Sequence, residues 1–312
     1  HPVLADSPET ARTASLLLEY AETFDEDVVR AAGLRALDAV LDGPASEGRW
    51  EDFETYWSDN FFGRATNVGV PFLRNGQYKE NTLSIFWTSE ACLVAYRLTG
   101  EARYLDRGLA TLDELSMWQQ VWRPPFMHVP TTGGFGVMNA DAEWNDARQS
   151  LFAELFLQYY ELTGESSYFE RGVAALRASF AMMYSPLNPE TKAQWELARP
   201  TLTSWDYGFT MENYGHDTAS SPTGGGIGFF SIFDWGCGAA SEAFARIVDH
   251  WGHVYIDAAR GLGFGIDSID VVSIGGGQWQ LTDLAGTPRT IRVVFDDGSA
   301  QTVALNGSAV VP

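Results

Sequence analysis

The amino-acid sequence predicts a mainly α-helical protein of about four helical hairpins, followed by a small C-terminal antiparallel β element. The main observation is an internal repeat, because the stretches that begin at Ser89 and Ser150 share a helical pattern, the letters LTGE and a second helical pattern. After Ile269 the pattern changes to short alternating apolar and polar runs, which are typical of strands. We therefore predict a helical domain at residues 1–268 and the β element at residues 269–312.

The predicted hairpins follow one another along the helical domain. Apolar residues recur at helical spacing in the first helix of each, as in SLFAELFLQYY, and Gly100 and Gly164 are suited to the left-handed conformation that ends a helix. Weaker copies begin at Leu16 and at Ser241. One hairpin cannot bury its own apolar stripe, so neighbouring hairpins are expected to stack.

Composition excludes several classes of partner. The 312 residues carry a formal net charge of -21, and 45% of them are hydrophobic. An acidic surface does not favour nucleic-acid backbones, and no apolar run is long enough to cross a membrane, so neither partner is predicted. The negative charge is typical of a secreted or periplasmic protein, although the opening letters HPVLADSPET do not form a signal peptide.

No metal ion and no cofactor is predicted. Cys92 and Cys237 lack the spacing of metal ligands, so both are expected to be buried thiols. The acidic run that begins at Asn139 alternates like an EF-hand loop, but Trp144 stands where that loop requires glycine. A helix start is the alternative for this run, with Asn139 or Asp141 as the N-cap residue.

The LTG breaks are followed by second helices that begin Tyr-Leu-x-Arg or a close variant, at Tyr104 and Tyr168. Tandem hairpins of this kind resemble the (α/α) toroids of carbohydrate-active enzymes, which include toroidal polysaccharide lyases, six-hairpin glycosidases and sugar epimerases of the acylglucosamine type. The resemblance covers residues 8–265 and implies an incomplete (α/α) toroid, because complete rings have more hairpins. The chain would then be a fragment, a shortened ring, or a ring that a further chain or an N-terminal segment completes.

The resemblance also implies that residues 1–268 are a catalytic domain, with a substrate cleft where the loops before successive inner helices meet. Three polar and aromatic segments are expected at that cleft: the one that ends at Lys79-Glu80-Asn81, residues 139–148 and residues 207–234. The expected substrate is a polysaccharide or oligosaccharide, since aromatic faces stack on sugar rings and carboxylates bond to hydroxyl groups.

The stretch MENYGHD contains the strongest catalytic candidates. In the toroidal lyases that it resembles, a tyrosine and a histidine transfer the protons, and an amide or basic group stabilises the enolate. Tyr214 and His216 would carry out these proton transfers here, Asn213 would stabilise the enolate, and Arg148 is a further candidate for the uronate. The predicted reaction is β-elimination in a uronate-containing glycan. The letters YGHD also resemble sugar epimerases, and local hydrogen bonding by His216 is the alternative without catalysis.

The predicted substrate-binding side chains lie in the same segments and in two further aromatic stretches. Trp144 and Arg148 are four positions apart, so on a helix they would share a face and contact one sugar. Asn81 is alternatively a helix cap, which would explain part of its segment without a substrate. The substrate-binding set is Lys79, Glu80, Trp57, Trp87, His128, Glu143, Trp144, Asp146, Glu212 and Asp217.

A glycoside hydrolase on the same rim is the alternative enzyme, and a non-catalytic glycan-binding protein is the alternative from another class. A hydrolase needs two carboxyl groups beside the scissile bond. The order of helices first and strands last favours the lyase, because β structure follows the helices in toroidal lyases. The acids that could supply a hydrolase pair are Glu80, Asp141, Glu143, Asp146, Glu212 and Asp217.

Overall fold

The computed structural model describes residues 7–52, 55, 69–71, 73–125, 127, 129–139, 144–145, 147–215, 227 and 235–312. The predicted class is confirmed, since a helical body is followed by a C-terminal β element. Within these ranges, every helix is too short or too polar to span a bilayer.

Eight α-helices occur in the described ranges, and six of them pair into three antiparallel hairpins. The helices are α1 (Thr10–Phe24), α2 (Asp27–Asp42), α3 (Thr82–Thr99), α4 (Ala102–Ser116), α5 (Gln149–Thr163), α6 (Ser166–Ala178), α7 (Pro189–Ala198) and α8 (Trp235–Trp251). Gly100 and Gly164 end α3 and α5 with φ of 70° and 71°, so the predicted left-handed helix ends are confirmed.

The repeated tyrosine joins each hairpin to the one before it. The hydroxyl of Tyr104, on α4, donates to Asp38 of α2 at 3.1 Å. In the next repeat, the hydroxyl of Tyr168, on α6, donates to Asp113 of α4 at 2.7 Å. The tyrosines therefore recur because each outer helix bonds to the preceding outer helix.

The repeated arginine has a similar role. Arg107 donates to the backbone carbonyl of Leu41 in the last turn of α2, and Arg171 donates to that of Ser116 at the end of α4, at 3.2 Å. The last carbonyls of a helix have no partner within the helix, and a cation beside them also complements the helix dipole. Each arginine thus stabilises the C-terminal end of the outer helix before it.

Helices α1, α3, α5 and α8 form an inner row, and α2, α4 and α6 lie behind their hairpin partners. Side chains from all four inner helices line one groove of about 330 Å³, among them Glu19, Glu90, Glu154 and Arg246. The inner row therefore curves around a central groove, as in an incomplete (α/α) toroid.

The largest apolar core lies between α3 and α5 and extends into the segments that precede them. The ring centroids of Phe86 and Phe152 are 5.0 Å apart, and Phe135 meets Phe152 edge-on at 5.1 Å. Trp50 belongs to the same buried cluster. These rings fix the starts of α3 and α5 relative to each other, which also positions the loops in front of them.

Seven strands in the described ranges form two sheets, with strand orders β2-β1-β5-β6 and β3-β4-β7. The strands are β1 (Val254–Asp257), β2 (Leu262–Gly265), β3 (Ile269–Gly275), β4 (Gln278–Asp283), β5 (Arg289–Phe295), β6 (Ala300–Leu305) and β7 (Ser308–Val311). Pairing is antiparallel except between β1 and β5, which run parallel.

The fourth predicted hairpin is present only in its first half. Helix α8 ends at Trp251, and β1 lies where the repeat predicts a second helix, so that part of the prediction is wrong. Gly252 has a φ of 77°, and a Cβ atom there would lie 2.6 Å from the carbonyl oxygen of Arg292. The chain turns at this glycine, and Val254 and Ile256 become buried in the sheet. Strand pairing with β5 overrides the helical pattern, and β1 begins before residue 269.

Aromatic rings join β1 and β2 to the α5–α6 hairpin. Phe169 stacks on Phe264 with ring centroids 4.1 Å apart and on Tyr255 at 5.4 Å. The hydroxyl of Tyr160, on α5, donates to the Asp257 carboxylate at 2.5 Å. The β element is therefore packed directly on the third hairpin.

Candidate functional site

The segments that the sequence predicts at a cleft meet at one end of the helical body. Helices α3 and α5 begin at this end, α4 and α6 finish there, and the turns at Gly100 and Gly164 lie at the opposite end. Isolated backbone bridges link the loops in front of α3 and α5 with each other and with the loop after α7. We call this surface the rim and define it by residues 50–52, 78–81, 135–139, 144–145, 147–148 and 211–215.

Asn139 fastens two rim segments together. Its Oδ1 accepts a hydrogen bond from the N–H of Glu80 at 3.0 Å, and its Nδ2 donates to the carbonyl of Tyr78 at 2.8 Å. The prediction that Asn139 caps a helix is wrong, because α5 begins only at Gln149. The physical reason is that backbone groups of the segment before α3 occupy the carboxamide.

Trp144 and Tyr214 form an antiparallel backbone pair. The N–H of Trp144 donates to the carbonyl of Tyr214 at 2.8 Å, and the return bond is 2.6 Å. A further bond runs from Ala147 to the carbonyl of Glu212 at 2.7 Å. Arg148, which directly precedes α5, therefore lies beside the Tyr214 segment. Because Trp144 lies in this bridge, the prediction that Trp144 and Arg148 share a helix face is wrong.

Asn81 holds the start of α3 in place. Its Oδ1 accepts from the N–H of Leu83 at 2.8 Å, so the alternative prediction of a helix cap is confirmed. Its own N–H donates to the carbonyl of Trp50 at 3.1 Å, and Trp50 forms a parallel bridge with Glu80. The backbone of Glu80 is therefore held on both sides, by Trp50 and by Asn139.

The predicted site residues differ in how much of each side chain is exposed to a ligand. Tyr214 and Asn213 are 6% and 1% exposed, and Lys79 is 4% exposed. Other predicted residues are half-buried at the rim: Glu80, Trp144, Arg148 and Glu212. Trp87 is half-buried within α3, where it packs against two apolar clusters.

Several predicted site residues lie outside the described residues. They are Trp57, His128, Asp141, Glu143, Asp146, His216 and Asp217. The catalytic pairing of His216 with Tyr214 therefore stays a prediction. The described rim brings Glu80, Trp144, Arg148 and Tyr214 to one end of the helical body.

Glu80 and Glu114 are carboxyl groups with raised pKa values. Burial raises the pKa of Glu80 from 4.5 to about 7, and the charge of neighbouring Glu114 adds to the rise. Burial also raises the pKa of Glu114, whereas a hydrogen bond from Trp50 lowers it. A carboxyl group with such a shifted pKa at a half-buried position is a candidate general acid.

Trp50 connects the two acids. Its indole, 1% exposed, donates from Nε1 to Oε1 of Glu114 at 2.6 Å, while its backbone pairs with Glu80. A hydrogen bond to a carboxylate favours the ionised form of that group. The bond from Trp50 therefore favours the ionised form of Glu114, whereas burial and the charge of Glu114 favour the neutral form of Glu80.

Sequence reasoning did not single out Glu114. Nothing in the linear spacing connects it with Glu80, because the contact is made across the α3–α4 hairpin. One local signal was present: Glu114 lies in the last turn of α4, where a negative charge opposes the helix dipole and no basic residue compensates.

The described part of the chain shows no cluster of three or more His, Cys, Asp or Glu side chains that could hold a metal ion. Cys92 is buried, as predicted, and burial raises the pKa of its thiol to about 12. A thiol with that pKa is a poor nucleophile at neutral pH. The side chain of Cys237 lies outside the described residues.

No protein-family model and no curated protein sequence matches this chain. Among solved structures, the chain is similar to a family 76 glycoside hydrolase from a bovine Bacteroides thetaiotaomicron strain, with a TM-score of 0.34 and 14% sequence identity. The match covers 75% of this chain and 54% of that chain, so it spans about half the length of the relative. Similarity at this level supports no conclusion about activity.

Proposed function

We propose that this protein is a carbohydrate-active enzyme that hydrolyses glycosidic bonds in a polysaccharide or oligosaccharide, with Glu80 as the general acid. The observation that carries the proposal is the pKa of Glu80, raised to about 7 at a half-buried position on the rim. A carboxyl group with this pKa is largely protonated just below neutral pH, as donation to a leaving sugar oxygen requires.

Glu114 supplies the second carboxyl group of the proposed mechanism. The hydrogen bond from Trp50 to Oε1 favours the ionised form of Glu114, so we assign Glu114 as the ionised partner. Its negative charge stabilises the positive charge that develops on the sugar ring in an oxocarbenium-like transition state. Proton donation by Glu80 and charge stabilisation by Glu114 are then complementary roles for two acids in different environments. Water attacks the anomeric carbon, and its proton returns to the Glu80 carboxylate, which completes the hydrolysis.

The substrate contacts proposed around this pair are the half-buried rim residues and Trp87 of α3. Trp87 and Trp144 offer ring faces for stacking on sugars, and Glu212 offers a carboxylate for hydroxyl groups. Lys79 and the predicted residues outside the described ranges stay proposals for the same cleft. A secreted or periplasmic location, and a ring completed by a further chain or an N-terminal segment, are likewise proposals.

The direct test is the Glu80→Gln variant. Loss of the donated proton is expected to lower turnover by about 100-fold to 10,000-fold with little change in the melting temperature. The measurement is release of reducing ends from a panel of neutral and acidic polysaccharides. Glu101→Gln is the matched control, because Glu101 is exposed and lies at the opposite end of the hairpin. Undiminished turnover in Glu80→Gln would reject Glu80 as the acid.

Elimination in a uronate-containing glycan is the second candidate. Two observations favour it: the backbone bridge places Tyr214 beside the segment of Arg148, and Oδ1 of buried Asn213 has no hydrogen-bond partner in the described part of the chain. His216 would be the base. Hydrolysis is preferred because Glu80 is more accessible than Tyr214, which is only 6% exposed.

The same screen separates the candidates. Elimination leaves a conjugated double bond that absorbs ultraviolet light, whereas hydrolysis releases reducing ends without that absorbance. A non-catalytic glycan-binding protein would do neither and would only be retarded in polysaccharide affinity gels.

A further inference from the structure

A groove lies at the junction of α6, α8 and the β element. It consists of two adjoining pockets of about 520 Å³ and about 560 Å³. The two pockets share four lining residues, Arg177, Phe180, Asp267 and Ser268, so they form one continuous surface, which we call the junction groove. Boundaries between packed units are common places for ligand binding.

The guanidinium group of Arg177 is held rigidly in this groove. Its Nη2 donates to the carbonyl of Gly265 at 2.7 Å, and its Nε donates to the carbonyl of Ile266 at 3.3 Å. These bonds use the side edge of the guanidinium plane. The end edge, formed by Nη1 and the second hydrogen of Nη2, still has two parallel donors, which match the two oxygens of a carboxylate.

In the described part of the chain no carboxylate forms an ion pair with Arg177, although Asp267 lines the same groove and its charge favours the charged form of Arg177. The acid nearest in sequence to its acceptors, Asp267, is bonded to Arg289 at 2.5 Å. Burial lowers the pKa of Arg177, which means that its charge is partly withdrawn from water. As a whole residue Arg177 is exposed to solvent, and its fixed guanidinium with an open bidentate edge favours an anionic ligand.

The other lining residues offer aromatic rings and hydroxyl groups, both of which can contact a sugar. Phe180 and Phe244 meet edge-on, with ring centroids 6.3 Å apart, and both line the groove. Ser241 and Ser268 add exposed hydroxyl groups at the same place. Ser268 has a φ of 46°, which is uncommon for a residue with a side chain and marks a backbone held by its surroundings.

We propose that the junction groove is a binding site for acidic oligosaccharides, in which a uronate carboxylate bonds to the end edge of Arg177 and the sugar ring packs on Phe180 and Phe244. The site does not include Glu80 or Glu114. It therefore holds a glycan chain without taking part in bond cleavage, and its existence does not depend on the proposed hydrolysis.

The test is calorimetric titration of the full chain carrying Glu80→Gln, so that no substrate is consumed. The probes are oligogalacturonate, oligomannuronate and oligoglucuronate, with methyl-esterified oligogalacturonate and decanoate as comparison ligands. At least one uronate oligomer is expected to bind. Adding Arg177→Gln is expected to weaken that binding by roughly tenfold or more, because a charge-assisted bidentate bond is lost. Arg177→Lys should bind the uronate oligomer almost as weakly as Arg177→Gln, because a lysine ammonium cannot form the bidentate bond.

Arg246→Gln is the matched control, because Arg246 is a helix arginine on α8 that does not line the junction groove. It should bind the uronate oligomer as tightly as the parent. Uronate binding that is equal with and without Arg177 would place the ligand elsewhere, for example on the rim, and would overturn the proposal. Failure of all three uronate oligomers, or equal binding of the methyl ester or decanoate, would overturn it as well.

Discussion

At the residue scale, Glu80 is a carboxyl group whose protonation changes near neutral pH. Its pKa is raised from 4.5 to about 7, first by burial and second by the charge of Glu114. A group whose pKa is higher in the folded protein than in the unfolded chain stabilises the fold in its protonated form. This contribution is complete below pH 4.5 and is lost as the pH rises through about 7.

We therefore expect Glu80→Gln to raise the free energy of unfolding near pH 8 by about 1 kcal/mol and to change it little near pH 4. The glutamine cannot ionise, so the unfavourable charge that Glu80 carries at high pH is removed. The size allows for solvent screening, because Glu80 is only half-buried. Chemical denaturation of the variant and the wild type at several pH values gives the measurement.

Glu101→Gln serves as the control for this pH dependence, because the exposed carboxyl of Glu101 lies far from Glu114 along the α3–α4 hairpin. The difference in free energy of unfolding between Glu101→Gln and the wild type should stay about the same at all pH values above neutrality. A constant difference between Glu80→Gln and the wild type from acid to alkaline pH would contradict the raised pKa.

At the element scale, the glycine of each repeat allows two helices of one hairpin to approach closely. A Cβ atom on Gly172, in α6, would lie 2.7 Å from the carbonyl oxygen of Ala153 in α5. In the preceding repeat, a Cβ atom on Gly108 would lie 2.9 Å from the Cβ atom of Cys92 in α3, and 2.0 Å from the hydroxyl of Tyr159 in the next hairpin. The tyrosine, the arginine and the glycine therefore recur in the repeat because each makes a different structural contact.

Gly172→Ala is expected to lower the free energy of unfolding by about 2 kcal/mol, because the added methyl group meets backbone that cannot move without disturbing α5. Urea denaturation measures the effect. The matched control is Gly238→Ala in α8, where a Cβ atom would meet nothing within 4 Å. That variant should be neutral or more stable by up to about 1 kcal/mol, since alanine is the better helix former. Equal effects of the two substitutions would show that helix propensity alone matters.

At the scale of the whole molecule, the strand that directly follows the last helix belongs to the β element. β1 lies before residue 269, yet it pairs with β5, which lies after it. Gly252, at the end of α8, forms an isolated bridge with Val293 of β5. The segment that leads out of the last helix is therefore part of the sheet.

A chain that ends at residue 268 is expected to lose cooperative unfolding and to bind a hydrophobic dye. It retains β1 but lacks β5, so Val254 and Ile256, both 0% exposed in the full chain, would lose their covering. Thermal unfolding and dye fluorescence, with the full chain as the reference, give the measurement. A shortened chain that melts as sharply as the full chain would support the domain boundary at residues 268 and 269 and contradict this expectation.

The repeat and the helix ends could be predicted from the sequence because they depend on local properties. Apolar spacing, the left-handed preference of Gly100 and the capping ability of Asn81 act within a few residues. The prediction of a complete fourth hairpin was wrong because the outcome depends on a distant part of the chain. Its second half has residues that fit either a helix or a strand, and the choice was made by pairing with β5, which comes later in the chain.

By itself, the sequence determined the mainly helical class, the stacked hairpins and the segments that meet at the rim. Only the tertiary structure decided which acids are neighbours. Glu80 was one of several candidate carboxylates, and it became distinctive only when the hairpin placed Glu114 beside it and Trp50 bonded to that partner. A pKa depends on burial and on charges brought close by folding, so residue spacing along the chain could not supply it.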